Sequence, residues 1–162
     1  MTHHFTSLVI GVVVLAVAAT AVAQQAPPEY GPAITLEQAK KVMAGAEAEA
    51  TKNKWNVVIT IVDPGGNILM VHRLDNTQFG SVEVAREKAF SAVAFRRPTK
   101  VFQDLVGQGG ANLRLLNLTG GSVLEGGIPI VVDGKIIGGI GVSGVTSQQD
   151  AQIAQAGIDA LK

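Results

Sequence analysis

A chain of 162 residues with 13 basic and 13 acidic side chains offers no basic stripe, which argues against nucleic-acid binding. Without cysteine it forms no disulfide, zinc–thiolate site or thiol nucleophile. Aromatic residues make up only 4% of the chain against 19 glycines, so packing must rest on close backbone contacts and small-residue seams.

The first predicted element is a targeting segment. Leu8 to Ala19 is an almost unbroken apolar run, and Ala21-Val22-Ala23 closes it with the small residues that a signal peptidase reads. Gln24, Gln25 and Pro27-Pro28 then break any helix. The run is shorter than the ~20 residues of a membrane span. The pattern predicts a signal peptide over residues 1–23, hence a periplasmic or secreted protein with no stable span after cleavage. The n-region offers only the α-amino group, His3 and His4, so an uncleaved anchor is the competing reading. Cleavage removes both histidines and leaves His72 as the sole imidazole. An exported domain without disulfides must draw its stability from packing or oligomerisation.

Gln24 to Ala33 reads as an extended, mobile linker. Thr35 is an N-cap with Gln38 at the capping-box position, and Leu36, Ala39, Val42, Met43, Ala46 and Ala50 follow helical spacing as far as Lys52-Asn53. Trp55–Val62 and Ile68–Leu74 flank the turn residues Asp63-Pro64-Gly65-Gly66-Asn67 and predict a hairpin. Gln78–Arg96 reads as a second long helix stopped by Pro98. Val101–Leu118 predicts one or two short helices interrupted at Gly107–Gly110. A loop from Gly120-Gly121 to Gly126-Gly127 leads into a second hairpin, Ile128–Val132 and Lys135–Val142, around Asp133-Gly134. Gly138, Gly139 and Gly141 inside its second strand predict close approach of another backbone or a ligand. Ser147 is expected to cap a C-terminal helix. Two hairpins exclude a parallel doubly wound sheet. The order predicts one α+β domain over residues 34–162, an antiparallel sheet with helices packed on it.

Several residues are candidates for chemistry. Alternation puts His72 and Leu74 on one face of their strand and Arg73 and Asp75 on the other. His72 is either a metal ligand through a neutral ring nitrogen or an ordinary strand histidine. Arg73 either clamps a carboxylate or pairs with Asp75. Lys88 has Val84 and Ala92 at i−4 and i+4, so it sits on an apolar stripe and must snorkel or meet a specific acceptor. Arg96-Arg97 ends its helix where the dipole favours cations. Thr119 to Ile130, rich in glycine and hydroxyl residues, leaves backbone amides for an anionic or planar ligand, or simply makes tight turns. It contains no G-x-x-x-x-G-K-[ST] pattern, no carboxylate paired with Glu125 and no G-x-S-x-G elbow. Ser143 and Asp150 suit turn and capping roles as well as a triad with His72.

Taken together, Ile59 to Asn67, Arg73-Leu74-Asp75, Ala85-Arg86-Glu87-Lys88-Ala89, Glu125-Gly126-Gly127-Ile128-Pro129-Ile130 and Gly138 to Gly144 resemble the GlcG/HbpS-type heme-binding family. The match runs from about Ile34 to Lys162, in order. The resemblance implies a profilin-like fold, with an antiparallel sheet of about five strands flanked by helices. It implies homo-oligomers, often octamers, and heme or another tetrapyrrole as a small planar ligand. The related domain of corrinoid adenosyltransferases ties the scaffold to cobalamin metabolism, and some members are described as heme-degrading. Carried over by position, the family pattern points to Arg73, Asp75, Lys88 and the Glu125 to Pro129 loop with Gly126 and Gly127. His72 or Thr119 then becomes the axial donor to heme iron, with Lys88 or Arg73 near the propionates. The expected function is an exported protein that binds heme for sequestration, relay or sensing. The alternatives are an enzyme that degrades heme or converts a small oxygenated metabolite, and an oligomeric accessory partner of a membrane sensor.

Overall fold

The computed structural model describes residues 26–162, and the expected signal peptide over residues 1–23 lies outside them. The first element is a two-residue strand, β1 (Glu29–Tyr30), inside the stretch read as a mobile linker. It runs parallel to Lys135–Ile136, and the Tyr30 hydroxyl donates to the Val93 carbonyl at 2.7 Å. This part of the stretch is therefore docked on the domain. A strand so short shows no alternation by which composition could reveal it.

Helix α1 (Leu36–Asn53) starts at Thr35 with a capping box: the Gln38 amide donates to the Thr35 hydroxyl at 3.2 Å and the Thr35 amide to the Gln38 side chain at 3.0 Å. The first hairpin then pairs β2 (Val58–Val62) antiparallel with β3 (Ile68–Arg73). Its turn is held by Asp63, whose carboxylate accepts from the Gly65 and Asn67 amides at 2.8 and 2.9 Å. The Asn67 side chain, with these amides, holds the Asp63 carboxyl below its ordinary range.

Helix α2 (Ser81–Ala94) begins at Ser81 rather than Gln78, because the Ser81 and Val82 amides bond three residues back, to the Gln78 and Phe79 carbonyls, in a tighter turn. Two short helical pieces follow, α3 (Lys100–Gly107) and a 3₁₀ segment (Gly110–Asn117), divided by Gly109 and Gly110 at positive φ. The second hairpin joins β4 (Gly127–Val132) to β5 (Lys135–Ser143). Asp133 (φ 49°) and Gly134 (φ 74°) give its tip the two left-handed residues of a type I′ turn. Helix α4 (Ser147–Asp159) is capped by Thr146, one residue before the expected Ser147, with Gln149 completing the capping box.

Strand β5 is the axis of the sheet. Lys135 to Gly141 pairs with β4 on one edge, while β2 takes its second half and β1 its first two residues on the other. The α+β expectation of about five strands flanked by helices matches this architecture. On one face Val57, Ile59, Ile61, Ile140 and Val142 pack against Val42, Met43 and Ala46 of α1 and Ile153 and Ala154 of α4. On the other face lies α2, and the glycines of β5 show what approaches. A Cβ on Gly141 would run into the Ala85 carbonyl and the Ala89 amide nitrogen; one on Gly139 would lie 2.7 Å from Val93 Cγ1. The close neighbour is thus a backbone, that of α2. No helix among the described residues is long and apolar enough to cross a membrane.

Gly141→Ala is expected to lower stability by about 3 kcal/mol or more, at the upper end of ordinary overpacking, because the obstacle is backbone. Gly107→Ala, where nothing lies within 4 Å, is expected to be neutral or stabilising by up to about 1 kcal/mol. Urea denaturation midpoints of the two variants check both.

Candidate functional site

The sequence-predicted residues fall into three separate places. The first is buried. Lys88 projects from the inner side of α2, and its Nζ donates to Asp150 Oδ2 at 2.8 Å and to the Val142 carbonyl at 2.9 Å. The two charged side chains are 2% and 3% exposed, so water takes almost no part in the pair. The Val142 amide donates to the Gly126 carbonyl at 3.0 Å, so Lys88 takes the next ladder acceptor where β4 has not yet begun. Asp150 also accepts from the Val145 amide at 3.2 Å. Burial pushes the Asp150 carboxyl above its ordinary range, and the Lys88 ammonium opposes that rise. Gly126 and Gly127 are shaped by the same contact: a Cβ on Gly126 would lie 2.9 Å from Lys88 Nζ, and one on Gly127 would strike the Lys88 carbonyl. Lys88 therefore meets a protein acceptor rather than a propionate, and Asp150 is committed to Lys88 rather than to a triad. Ser143 is likewise engaged, donating to the Ser81 hydroxyl at 3.1 Å.

The loop that precedes β4 uses amides that the sequence left open for a ligand. Side chains from elsewhere in the fold take several of them. The Ser122 amide donates to the Ser91 hydroxyl at 3.0 Å, that of Glu125 to the Gln103 side chain at 2.9 Å, and that of Gly127 to the Thr99 hydroxyl at 3.0 Å. Gln103 returns a bond to the Glu125 carboxylate at 3.2 Å. Ser91, Thr99 and Gln103 were not singled out from the sequence, and no local pattern marks them.

The second place is the end of β3. His72 Nδ1 lies 2.7 Å from Glu47 Oε1 on α1, with both side chains partly exposed. Arg73 points to the opposite face, where its guanidinium sits 4.8 Å from the Phe79 ring centroid. It makes no ion pair with Asp75 within the salt-bridge distance, and Asp75 enters an exposed turn with Asn76 at φ 60°. Among the described residues no three His, Asp or Glu side chains gather as a metal site.

The third place is a cleft of about 350 Å³ between α2 and the Gly120-Gly121 loop, lined by Arg86, Glu87 and Phe90. Phe90 is its floor and is gripped from two sides. A Cβ on Gly66 would fall 2.5 Å from the ring, and one on Gly120 would fall 2.8 Å from it. Both glycines have positive φ, 83° and 75°, which L side chains rarely adopt. Arg86 donates to Glu83 at 2.8 Å and stays partly exposed. Thr119, adjacent to Gly120, is exposed beside this cleft. The cleft is on the α2 side of the sheet and His72 on the α1 side, so the two candidate axial donors do not share a site in one chain. Phe90 was legible only as a residue of the second helix.

A five-stranded sheet with α1 and α4 on one face and a glycine-seated α2 on the other places the chain in a family: the one described as haem degrading protein HbpS-like matches residues 34–159, and the chain belongs to it. Protein GlcG of Escherichia coli K12 is 39% identical over 110 residues, covering 68% of this chain and 81% of GlcG. Among solved structures, a double mutant of HbpS from Streptomyces reticuli is similar with a TM-score of 0.74 at 32% identity, covering 90% of this chain and 98% of that one. PduOC in complex with heme is similar with a TM-score of 0.72 at 32% identity, covering 79% and 94%.

Lys88→Met leaves the Asp150 carboxylate buried alone and is expected to lower stability by about 3–5 kcal/mol. The double variant Lys88→Met, Asp150→Leu removes both charges and is expected to recover most of that loss. Chemical denaturation of the two variants at pH 7 tests the pair.

Proposed function

We propose that this protein binds heme, or a related tetrapyrrole, in the cleft over Phe90, and holds it outside the cytoplasm for sequestration, relay or sensing. The observation that carries the reading is the gripped Phe90 ring in an open cleft, in a family where PduOC forms a heme complex. The residues present fit such a ligand. Phe90 offers a flat apolar face, the side-chain-free Gly120-Gly121 loop lets a planar ring approach, and Arg86 offers a guanidinium to a propionate. Thr119, exposed next to Gly120, would offer a hydroxyl to the iron. Bound heme supplies an iron centre for ligand binding and electron transfer. In the homo-oligomer that the family resemblance implies, a second copy would cover what this cleft of about 350 Å³ leaves open. A membrane sensor is the partner that the sensing role calls for.

Each residue has a limited part in this scheme. Phe90 orients the ring, and the turn at Gly66 keeps Phe90 from rotating away. Arg86 exchanges its bond with Glu83 for one with the ligand's carboxylate. The second reading, heme degradation, is favoured by the description of the family itself.

Hemin titration of the purified protein is expected to shift the Soret band at micromolar concentration, and a flat response overturns the proposal. Phe90→Ala and Thr119→Ala are expected to weaken binding at least tenfold, about 1.4 kcal/mol, while His72→Ala leaves it unchanged. Loss in His72→Ala alone moves the ligand to the end of β3. With reductant and oxygen, steady Soret loss with turnover and iron release identifies the degrading enzyme. N-terminal sequencing of exported material is expected to begin near Gln24.

A further inference from the structure

A second cavity stands apart from the Phe90 cleft. Pro27 and Pro28 form one wall and Ile128 and Val131 of the outer strand β4 another, with Arg96 and Arg97 also lining it. Its volume of about 700 Å³ falls within the range of small-molecule sites. β1 keeps the proline wall in place, since Tyr30 is bonded to the Val93 carbonyl at the end of α2.

Two observations bear on this groove. The first is charge. Among the described residues neither guanidinium meets a carboxylate at salt-bridge distance. Arg97 donates through Nε to the Phe95 carbonyl at 3.0 Å and lies 5.8 Å from the Phe102 ring centroid; Arg96 lies 5.8 Å from that of Tyr30. Most of their donors thus have no protein acceptor. The second is backbone. α2 ends in a Schellman motif, with the Arg97 amide donating to Ala92 and the Arg96 amide to Val93, each at 3.2 Å. The left-handed residue of such a motif is ordinarily glycine; here it is Arg96 at φ 53°, as it is Lys54 at φ 58° at the end of α1. The helix dipole accounts for a cation near this end. A basic residue in the last helical turn would serve the dipole with relaxed backbone, yet that turn has none. What distinguishes the end of α2 from that of α1 is the second cation: Arg97 follows Arg96, and both guanidiniums line one cavity.

We propose that this groove binds a small organic anion, a carboxylate carried on an apolar or aromatic body. The paired guanidiniums take the carboxylate through their planar forks, and the prolines with Ile128 and Val131 take the body. The site is distinct from the proposed heme cleft and does not depend on it.

The test is calorimetric titration of 2-naphthoate into the full-length protein, with neutral 2-naphthamide as the control. Naphthoate is expected to bind at least tenfold more tightly than naphthamide. Arg96→Gly installs the residue the motif prefers, so its melting temperature is expected at or above wild type while naphthoate affinity falls at least tenfold. Arg97→Gln is expected to show the same loss, and Arg96→Gly is expected to keep the wild-type Soret response to hemin. Equal affinity for the two probes, or undiminished naphthoate binding by Arg96→Gly, overturns the proposal. A lost Soret response in Arg96→Gly also overturns it, by making the groove the heme site itself. So does a changed sedimentation coefficient of that variant, which makes the groove a contact between copies of the chain.

Discussion

The contact on which the molecule depends is the seating of α2 directly on β5. Glycine on the strand and alanine on the helix bring two backbones together with almost no side chain between them. Such a contact fixes the rotation of the helix as well as its position, since turning it by one residue would drive Arg86 or Phe90 into the seam. Everything functional on α2 follows from that rotation. Lys88 is forced inward, Phe90 and Arg86 are held at the cleft, and the helix end delivers Arg96 and Arg97 to the groove beside β4. The scarcity of aromatic residues is the compositional side of the same design: this face of the sheet is filled by backbone rather than by rings.

The loop before β4 shows a related economy. It looks permissive in composition, yet Ser91, Thr99 and Gln103 anchor it from α2, from α3 and from the turn between them. Buried amides must be paired, and these side chains pair them. The result is a stiff loop whose exposed part, Thr119 to Gly121, is what faces the cleft. A firmly anchored rim and a gripped ring would lower the ordering cost of taking up the proposed planar ligand.

Features set by neighbours in the chain were legible in the sequence. The Thr35–Gln38 capping box, the Asp133-Gly134 turn, both hairpins and the break at Gly107–Gly110 all rest on local chemistry, and the structure has each of them. The family resemblance, built from several short motifs in order, carried the fold as a whole. What stayed hidden depends on distant partners. β1 is too short to show a period, and it exists because Lys135–Ile136 has an open edge. The glycines of β5 announced a close approach without saying that α2 makes it. Lys88 announced a need for an acceptor, but nothing near it in sequence names Asp150. The cleft was least legible, since Phe90 at a helical position looks the same whether it packs inward or floors a site.

The buried pair also bears on the order in which the chain assembles. Lys88 and Asp150 are 62 positions apart, and Asp150 lies in α4, downstream of every other described element. Until α4 docks, the interior holds an ammonium ion without a counter-charge, a state that favours water entry over compaction. The pair therefore couples burial of the inner side of α2 to the docking of α4. A chain without α4, or one that has packed it in the wrong register, leaves Lys88 without its counter-charge at the face of α2 that the fold buries.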